Sequence, residues 1–378
     1  MCTNILMKKL FLGILLFFLN SNIFSQNRLE VSLGGALRFN YKYQDWDISN
    51  KKQLGSIAYD MFRINADASY RNVLMHAEYR FYSKSSGGGM LKSGWLGYKF
   101  NPSHELRLGL TSVPFGLQPY TSNSYFFNIN YYLGLEDDDD MGITYKFTSN
   151  NWILGVGFFK NSDLLNGDGS EISPERYSYD IAGRNKETNT IAVQSSYKLD
   201  GLIQNEFGTS FLGGQIYNLD TNKLGLRWAY ALHYKAKYRN FELMSQFTQY
   251  QVNTKNENRS DVRTIKLAAF GSSCNASSKG ATISACLSYT CTLKRKWIDS
   301  IKFYNDFSML HKSYSDQSDS FQNISGCQIV GGPVIAYFDI ASGKNHSWLG
   351  GDWENAFAVG SHNATWHTRI NLNFGYYF

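Results

Sequence analysis

The sequence predicts an all-β transmembrane fold: an antiparallel up-and-down β-barrel of about 16 strands. Three observations predict it. Long segments alternate apolar and polar residues with a period of two, as half-buried strands do. The composition suits strands joined by polar turns, with 26 Tyr, 26 Phe, 33 Gly and only five Pro and a mean hydropathy of -0.35. No segment approaches the roughly 20 apolar residues of a spanning helix.

The clearest alternation is LGLRWAYALHYKAKY at 224–238. Leu224, Leu226, Trp228, Tyr230, Leu232, Tyr234, Ala236 and Tyr238 share one face. Gly225, Arg227, Ala229, Ala231, His233, Lys235 and Lys237 share the other. Near the start, Leu33, Leu37, Phe39, Tyr41 and Tyr43 oppose Ser32, Arg38, Asn40, Lys42 and Gln44. Near the end, Trp366, Ile370, Leu372, Phe374, Tyr376 and Phe378 oppose His367, Arg369, Asn371, Asn373 and Gly375. Such units exceed the strands of about five or six residues usual in soluble sheets and suit a tilted membrane crossing.

Taken in order, strands are expected at 31–44, 57–70, 72–83, 90–100, 104–113, 141–148, 152–160, 190–199, 206–217, 224–238, 241–252, 262–272, 280–291, 297–310, 326–341 and 364–378. In lipid an open sheet edge would leave backbone groups unpaired, so the sheet closes. The even number agrees with single-chain bacterial barrels. Turns at Arg71-Asn72, Asn101-Pro102-Ser103, Ser149-Asn150 and Arg239-Asn240 then face the periplasm, and connections 114–140, 161–189 and 342–363 face outward. The connection 311–325 is long yet comes out periplasmic, so the register over 272–325 is the least determined.

The two ends fit an exported chain. Lys8 and Lys9 precede the apolar run Leu10 to Leu19, which reads as a secretory leader. The domain reading is a signal peptide at 1–25 and an outer-membrane β-barrel at 26–378. The last residues, NLNFGYYF, end on Phe378, similar to the signal read by barrel-insertion machinery. Expected partners are that machinery, outer-membrane lipid, and small hydrophilic solutes or anions; a homotrimer is compatible with this class.

Without the leader's two lysines the 37 basic residues become 35 against 31 acidic ones, a balance too mild to argue for a nucleic-acid partner. Cys274, Cys286, Cys291 and Cys327 show neither a CxxC pair nor a nearby His at zinc spacing. No metal set and no cofactor are expected. His76, His104, His233, His346, His362 and His367 have no Ser or Asp partner evident from spacing, so no catalytic residue is assigned. A barrel hydrolase is the alternative reading.

Four segments together resemble the Bacteroidetes outer-membrane porins, related in pattern to the phosphate- and polyphosphate-selective porin family: GLTSVPFG (109–116), YYLGLEDDDDMG (131–142), FDIASGKN (338–345) and NFGYYF (373–378). The resemblance implies passive diffusion through a pore narrowed by the third external loop, here Pro114 to Asp140. Pro114, Phe115 and Gly116 would turn that loop inward, and Glu136, Asp137, Asp138, Asp139 and Asp140 would form one pole of a transverse field. Strand parity puts Arg38, Lys42, Arg63, Arg80, Arg107, Lys146, Arg227, Lys235, Lys237 and Arg369 on the lumen wall, against Asp60, Asp67, Glu78 and Glu105. That excess of bases favours anions. Between Pro114 and Asp140 there is neither Lys nor Arg, although phosphate capture relies on such donors. A calcium site and a solvated loop end remain alternatives for the acids. Lys344, Asn345, His346, Trp348 and Trp353, within SGKNHSWLGGDW (342–353), form a candidate ligand-binding loop, since Trp can stack on a sugar ring.

Overall fold

The computed structural model describes residues 28–162, 176–257 and 262–378. The leader at 1–25 and the first residues of the 26–378 domain lie outside them.

In chain order the strands are β1 (Glu30–Gln44), β2 (Ser56–Tyr70), β3 (Val73–Phe81), β4 (Gly89–Asn101), β5 (His104–Ser112), β6 (Asp139–Thr148), β7 (Trp152–Asn161), β8 (Asp180–Ile181), β9 (Asn185–Leu199), β10 (Gln204–Asn218), β11 (Leu224–Tyr238), β12 (Phe241–Asn253), β13 (Thr264–Ala269), β14 (Ser272–Ser277), β15 (Lys279–Arg295), β16 (Ile298–Lys312), β17 (Ser320–Gly331), β18 (Val334–Lys344) and β19 (His367–Tyr377). Sixteen of them close into an antiparallel barrel in which β1 pairs with β19, and β8, β13 and β14 form a separate three-stranded sheet. Two short helices, α1 (Ile48–Lys52) and α2 (Ile129–Tyr132), lie in connections.

Closure is sealed by pairs such as Phe39 with Phe374 and Tyr41 with Leu372. The outward face is apolar along nearly every strand: Leu33, Ile57, Leu96, Leu108, Phe158, Phe211, Leu232, Leu287 and Phe303 are all exposed. A band of this kind belongs in lipid, because only a closed sheet can present it there without unpaired backbone groups. The tight connections, among them Arg71-Asn72, Arg239-Asn240 and Gly332-Pro333, share one rim with both ends of the barrel. The long connections share the other.

The expected count of sixteen is right, but two of its members are not. The segment 262–272 is no wall strand: it contains β13, which pairs with β14 and β8 inside the ring. Its alternation is real, since Ile265 and Leu267 are buried, yet the apolar surface they meet is protein. The segment 326–341 is not one strand but parts of β17 and β18, folded back at Gly332-Pro333 with Gly331 opposite Val334. Apolar residues continue up to both sides of that turn, which hides it. The two errors cancel, and the connection after β16 shrinks to 313–319 on the long-loop rim.

A hydrophobic core fills part of the barrel interior. Tyr131, Tyr132, Leu133 and Leu135 from connection 113–138 join Tyr177, Tyr179, Ile181, Ile265, Leu267, Ala276 and Phe357 from three other connections. They pack on inward-facing wall residues such as Leu212, Ala229, Tyr250 and Leu310. The wall is small or apolar where the loops rest.

Candidate functional site

Connection 113–138 enters the barrel and crosses it. It leaves β5 at Val113, and Gly116 turns at φ +68°, a left-handed conformation that a side chain resists. A Cβ at Gly116 would also stand 2.7 Å from Gln246 Oε1. The backbone is then tied to the far wall. Gly116 N donates to Ser210 Oγ at 3.0 Å and Leu117 N to Gln246 Oε1 at 2.8 Å.

The strongest tether lies further on. Asp306 on β16 accepts from Asn123 N (2.7 Å), Asn123 Nδ2 (2.9 Å) and Ser124 N (2.8 Å). Tyr125 OH reaches Asp60 Oδ1 at 2.9 Å, and Ile129 N donates to Ser308 Oγ at 3.2 Å. Charge-assisted bonds of this kind are about twice as strong as neutral ones, so the loop is fixed as a cross-piece. Its exposed part inside the ring is Gln118, Pro119 and Tyr120.

The acidic run closes this loop and is not its solvated tip: Glu136, Asp138, Asp139 and Asp140 are all buried. Glu136 accepts from Thr121 N at 3.1 Å and from Asn128 Nδ2 at 2.9 and 2.7 Å. Burial pushes its carboxyl up to about 8, with Asp137 adding repulsion against the relief of those hydrogen bonds. Asp137 accepts from Lys92 Nζ at 3.0 Å and from Tyr177 OH at 2.7 Å. Lys92 also pairs with Asp139.

Asp138 and Asp140 turn the other way and meet Asp180, with one carboxylate oxygen of each within 4.8 Å of the others. Two guanidiniums stand near them: Arg176 Nε lies 3.6 Å from Asp180, and Arg227 is ion-paired with Glu187. The sequence could not suggest this grouping, because Asp180 and Glu187 come from a different connection and strand. Pro114, Phe115 and Gly116 sit at the loop's departure, with Phe115 buried in the core.

Of the ten expected wall bases, four form a row along β1–β5. Each carries an aromatic ring beneath its guanidinium: Arg38 on Tyr125, Arg63 on Tyr377, Arg80 on Tyr177 and Arg107 on Trp95, at 5.7, 5.7, 4.4 and 4.1 Å. Each also has an acid behind it. Arg38 Nε is 2.8 Å from Asp60, Arg63 and Arg80 share Glu78, and Arg107 Nε is 2.6 Å from Glu105. Three of the four bases stand forward: the Arg38 side chain is 19% exposed against 8% for Asp60, Arg63 25% against 15% for Glu78, and Arg107 28% against 16% for Glu105, whereas Arg80 is covered by Tyr177. At these three pairs water in the lumen meets more guanidinium than carboxylate, while Asp67 on β2 is itself exposed.

The other six are distributed differently. Arg227 and Arg369 are buried, the latter over the Phe126 ring at 4.9 Å. Lys235 is bridged to Glu242 at 3.2 Å and, with Lys146 and Lys237, lies toward the short-turn rim. Lys42 is half-buried near the opposite end of β1.

The candidate ligand-binding loop is occupied by packing. Trp348 Nε1 donates to Tyr179 OH at 2.6 Å and Trp353 Nε1 to Ser273 O at 2.9 Å. His346 is fully buried, and burial pulls its imidazole down to about 3. Lys344 and Asn345 alone face a cavity.

Spacing also missed one arrangement. His76 Nδ1 is 2.7 Å from Asp67 Oδ1, and His76 Nε2 is 3.0 Å from Ser93 Oγ. These residues lie on three neighbouring strands, so only the register reveals them.

No family model and no curated protein matches the chain. Solved structures do match its fold. The outer membrane channel DcaP of Acinetobacter baumannii is 13% identical with a TM-score of 0.61, covering 94% of this chain and 99% of its own. The anion-selective porin from Comamonas acidovorans has the same identity and TM-score, covering 93% and 100%. OmpT of Vibrio cholerae in trimer form is 14% identical with a TM-score of 0.59, covering 93% and 99%. Such identities speak for the fold alone. The chain shares their fold, a closed 16-stranded antiparallel β-barrel of the outer membrane.

Proposed function

We propose that the protein is a porin through which small hydrophilic solutes diffuse passively, with a preference for anions and no chemical step. The observation that carries this reading is the arginine row Arg38, Arg63, Arg80 and Arg107 on the inner wall, of which Arg38, Arg63 and Arg107 are more exposed than the acids they pair with. Low-dielectric walls focus the field of such a row and enrich anions near it. The crossing loop narrows the path and puts Gln118 to Tyr120 across from these bases. Selective phosphate capture is not part of the reading, because the loop supplies no cation; the resemblance to Bacteroidetes porins enters only as a shared plan. An anion-selective porin among proteins of like fold is consistent with it.

The test is planar-bilayer recording of the refolded protein in a salt gradient. Discrete openings with a reversal potential on the anion side are expected. Absence of conductance, or cation selectivity, would sink the proposal.

The Asp67, His76 and Ser93 relay favours a second reading, a barrel hydrolase. Its accessibility runs the wrong way for nucleophilic catalysis: the Asp67 side chain is 55% exposed, whereas Ser93 is 8% exposed. A catalytic serine must meet substrate, and its aspartate is normally the sheltered member. Hydrolysis of short p-nitrophenyl esters is expected to be absent. A rate that Ser93→Ala abolishes would install the hydrolase instead.

A further inference from the structure

Where the crossing loop faces the wall, the path carries rings as well as charge. Tyr120 is exposed inside the ring of strands, and its phenol is fixed at right angles to Phe127 with 5.2 Å between centroids. Across from it stand Tyr337 of β18 and Tyr377 of β19. Tyr120 and Tyr377 both lie within Coulombic reach of Tyr337, and Tyr377 also lies within that of Arg38. Tyr337 is pinned by Gln328, whose Nε2 donates to its hydroxyl, and Tyr377 carries the Arg63 guanidinium over its ring at 5.7 Å. Both wall rings are only half-buried, so part of each meets lumen water.

The charge beside these rings is small and positive. Arg38, Arg63 and Arg80 face Asp60 and Glu78, three guanidiniums against two carboxylates, so the cluster keeps one net positive charge. Beyond those ion pairs, neither Arg38 nor Arg63 donates a hydrogen bond to any described residue. Their remaining N–H groups are left for a solute.

These two properties select a chemistry. A guanidinium holds a carboxylate through parallel N–H donors, and a phenol face is a surface on which a second ring stacks. One net positive charge suits a monoanion better than a doubly charged phosphate. A flat ring uses the tyrosine faces, which a puckered or open hydrocarbon does not.

We propose that the constriction favours aromatic carboxylates over other small acids, and that Tyr120 sets this preference. The inference rests on the porin reading and names its solute class. The carboxylate meets Arg38 and Arg63 while the ring lies between Tyr120 and the wall tyrosines. Such a site must hold its solute weakly enough to release it down its gradient.

The test is planar-bilayer recording of the refolded protein in potassium chloride, with benzoate or cyclohexanecarboxylate added on one side. The two acids match in charge and closely in size, and only benzoate is flat and aromatic. Benzoate should interrupt the chloride current roughly fivefold longer per event than cyclohexanecarboxylate, as one stacking contact implies. Tyr120→Leu should bring that ratio close to unity, and Tyr120→Phe should preserve it. Tyr337→Leu, on the wall, should also lower the ratio and serves where a loop variant disturbs docking. Equal interruption by the two acids in an anion-preferring channel overturns this inference and leaves the porin reading standing. A ratio that both leucine variants leave unchanged overturns it too. A silent or cation-selective channel takes down both readings.

Discussion

The two halves of the barrel interior use one backbone pattern for opposite ends. Along β1–β5 the inward positions are Arg38, Arg63, Arg80 and Arg107 with acids behind them, and water reaches them. Along β9–β12 the inward positions include Ala192, Leu212, Ala229, Ala231, Tyr250 and Val252, all buried under loops. Parity alone says that both sets point inward. The chemistry of the inward residue says whether water or protein fills the space in front of it.

The contrast can be broken most strongly by placing one charge in each half. Leu267→Asp puts an unpaired carboxylate into the loop core and should cost roughly 3 kcal/mol or more, seen as a lower temperature for the loss of heat-resistant gel migration. Arg63→Asp should leave that temperature nearly unchanged while moving the reversal potential toward cations. Equal destabilisation by both would mean that the halves do not differ.

Next in size is the tether. Asp306→Ala removes the acceptor of three loop donors and should cost roughly 3 kcal/mol of loop docking. A larger single-channel conductance and faster proteolysis within 113–138 are expected; unchanged conductance would show that the loop is held without Asp306.

Smaller again are single changes in the arginine row. Arg38→Gln, Arg80→Gln and Arg107→Gln should each reduce anion preference in the same direction, and Asp137→Asn should increase it slightly. For the deeply buried Asp138 and Asp140, replacement by Asn should alter thermal stability more than selectivity. The reverse result would restore the acids as a pole of the pore field.

Loop docking should also depend on pH through Glu136. Its docked carboxyl is raised to about 8 from an ordinary 4.5, so between those values the docked loop holds a proton that a released loop has lost. Docking is therefore strongest below about pH 4.5, weakens as pH rises, and levels off above about 8. Proteolysis of the loop should speed up over that interval, and Glu136→Gln should flatten the response.

Most of the wall was legible because lipid enforces alternation at every crossing, as 224–238 and the pairing of Phe39 with Phe374 illustrate. β13 was misplaced because an inner protein core imposes the same period that lipid does. The split between β17 and β18 was lost because Gly332-Pro333 is flanked by apolar residues on both sides. Arg227 with Glu187, Lys92 with Asp137, and Asp67 with His76 and Ser93 were out of reach, since their partners meet only through register and loop docking. The burial of the acidic run is not legible, because local composition carries no information about Tyr177 and the guanidiniums that stand beside it.

The bonds from Gly116 to Ser210 and from Ser124 to Asp306 also have a mechanical meaning. They join the β5–β6 side of the ring to its far wall, so the loop works as a strut. A hollow cylinder resists bending along its strands but is easily flattened across them, and lateral pressure in a bilayer acts in that soft direction. The strut opposes flattening. The bore should accordingly hold its cross-section as membrane tension changes, and Asp306→Ala channels should vary in conductance with bilayer tension more than wild-type channels do.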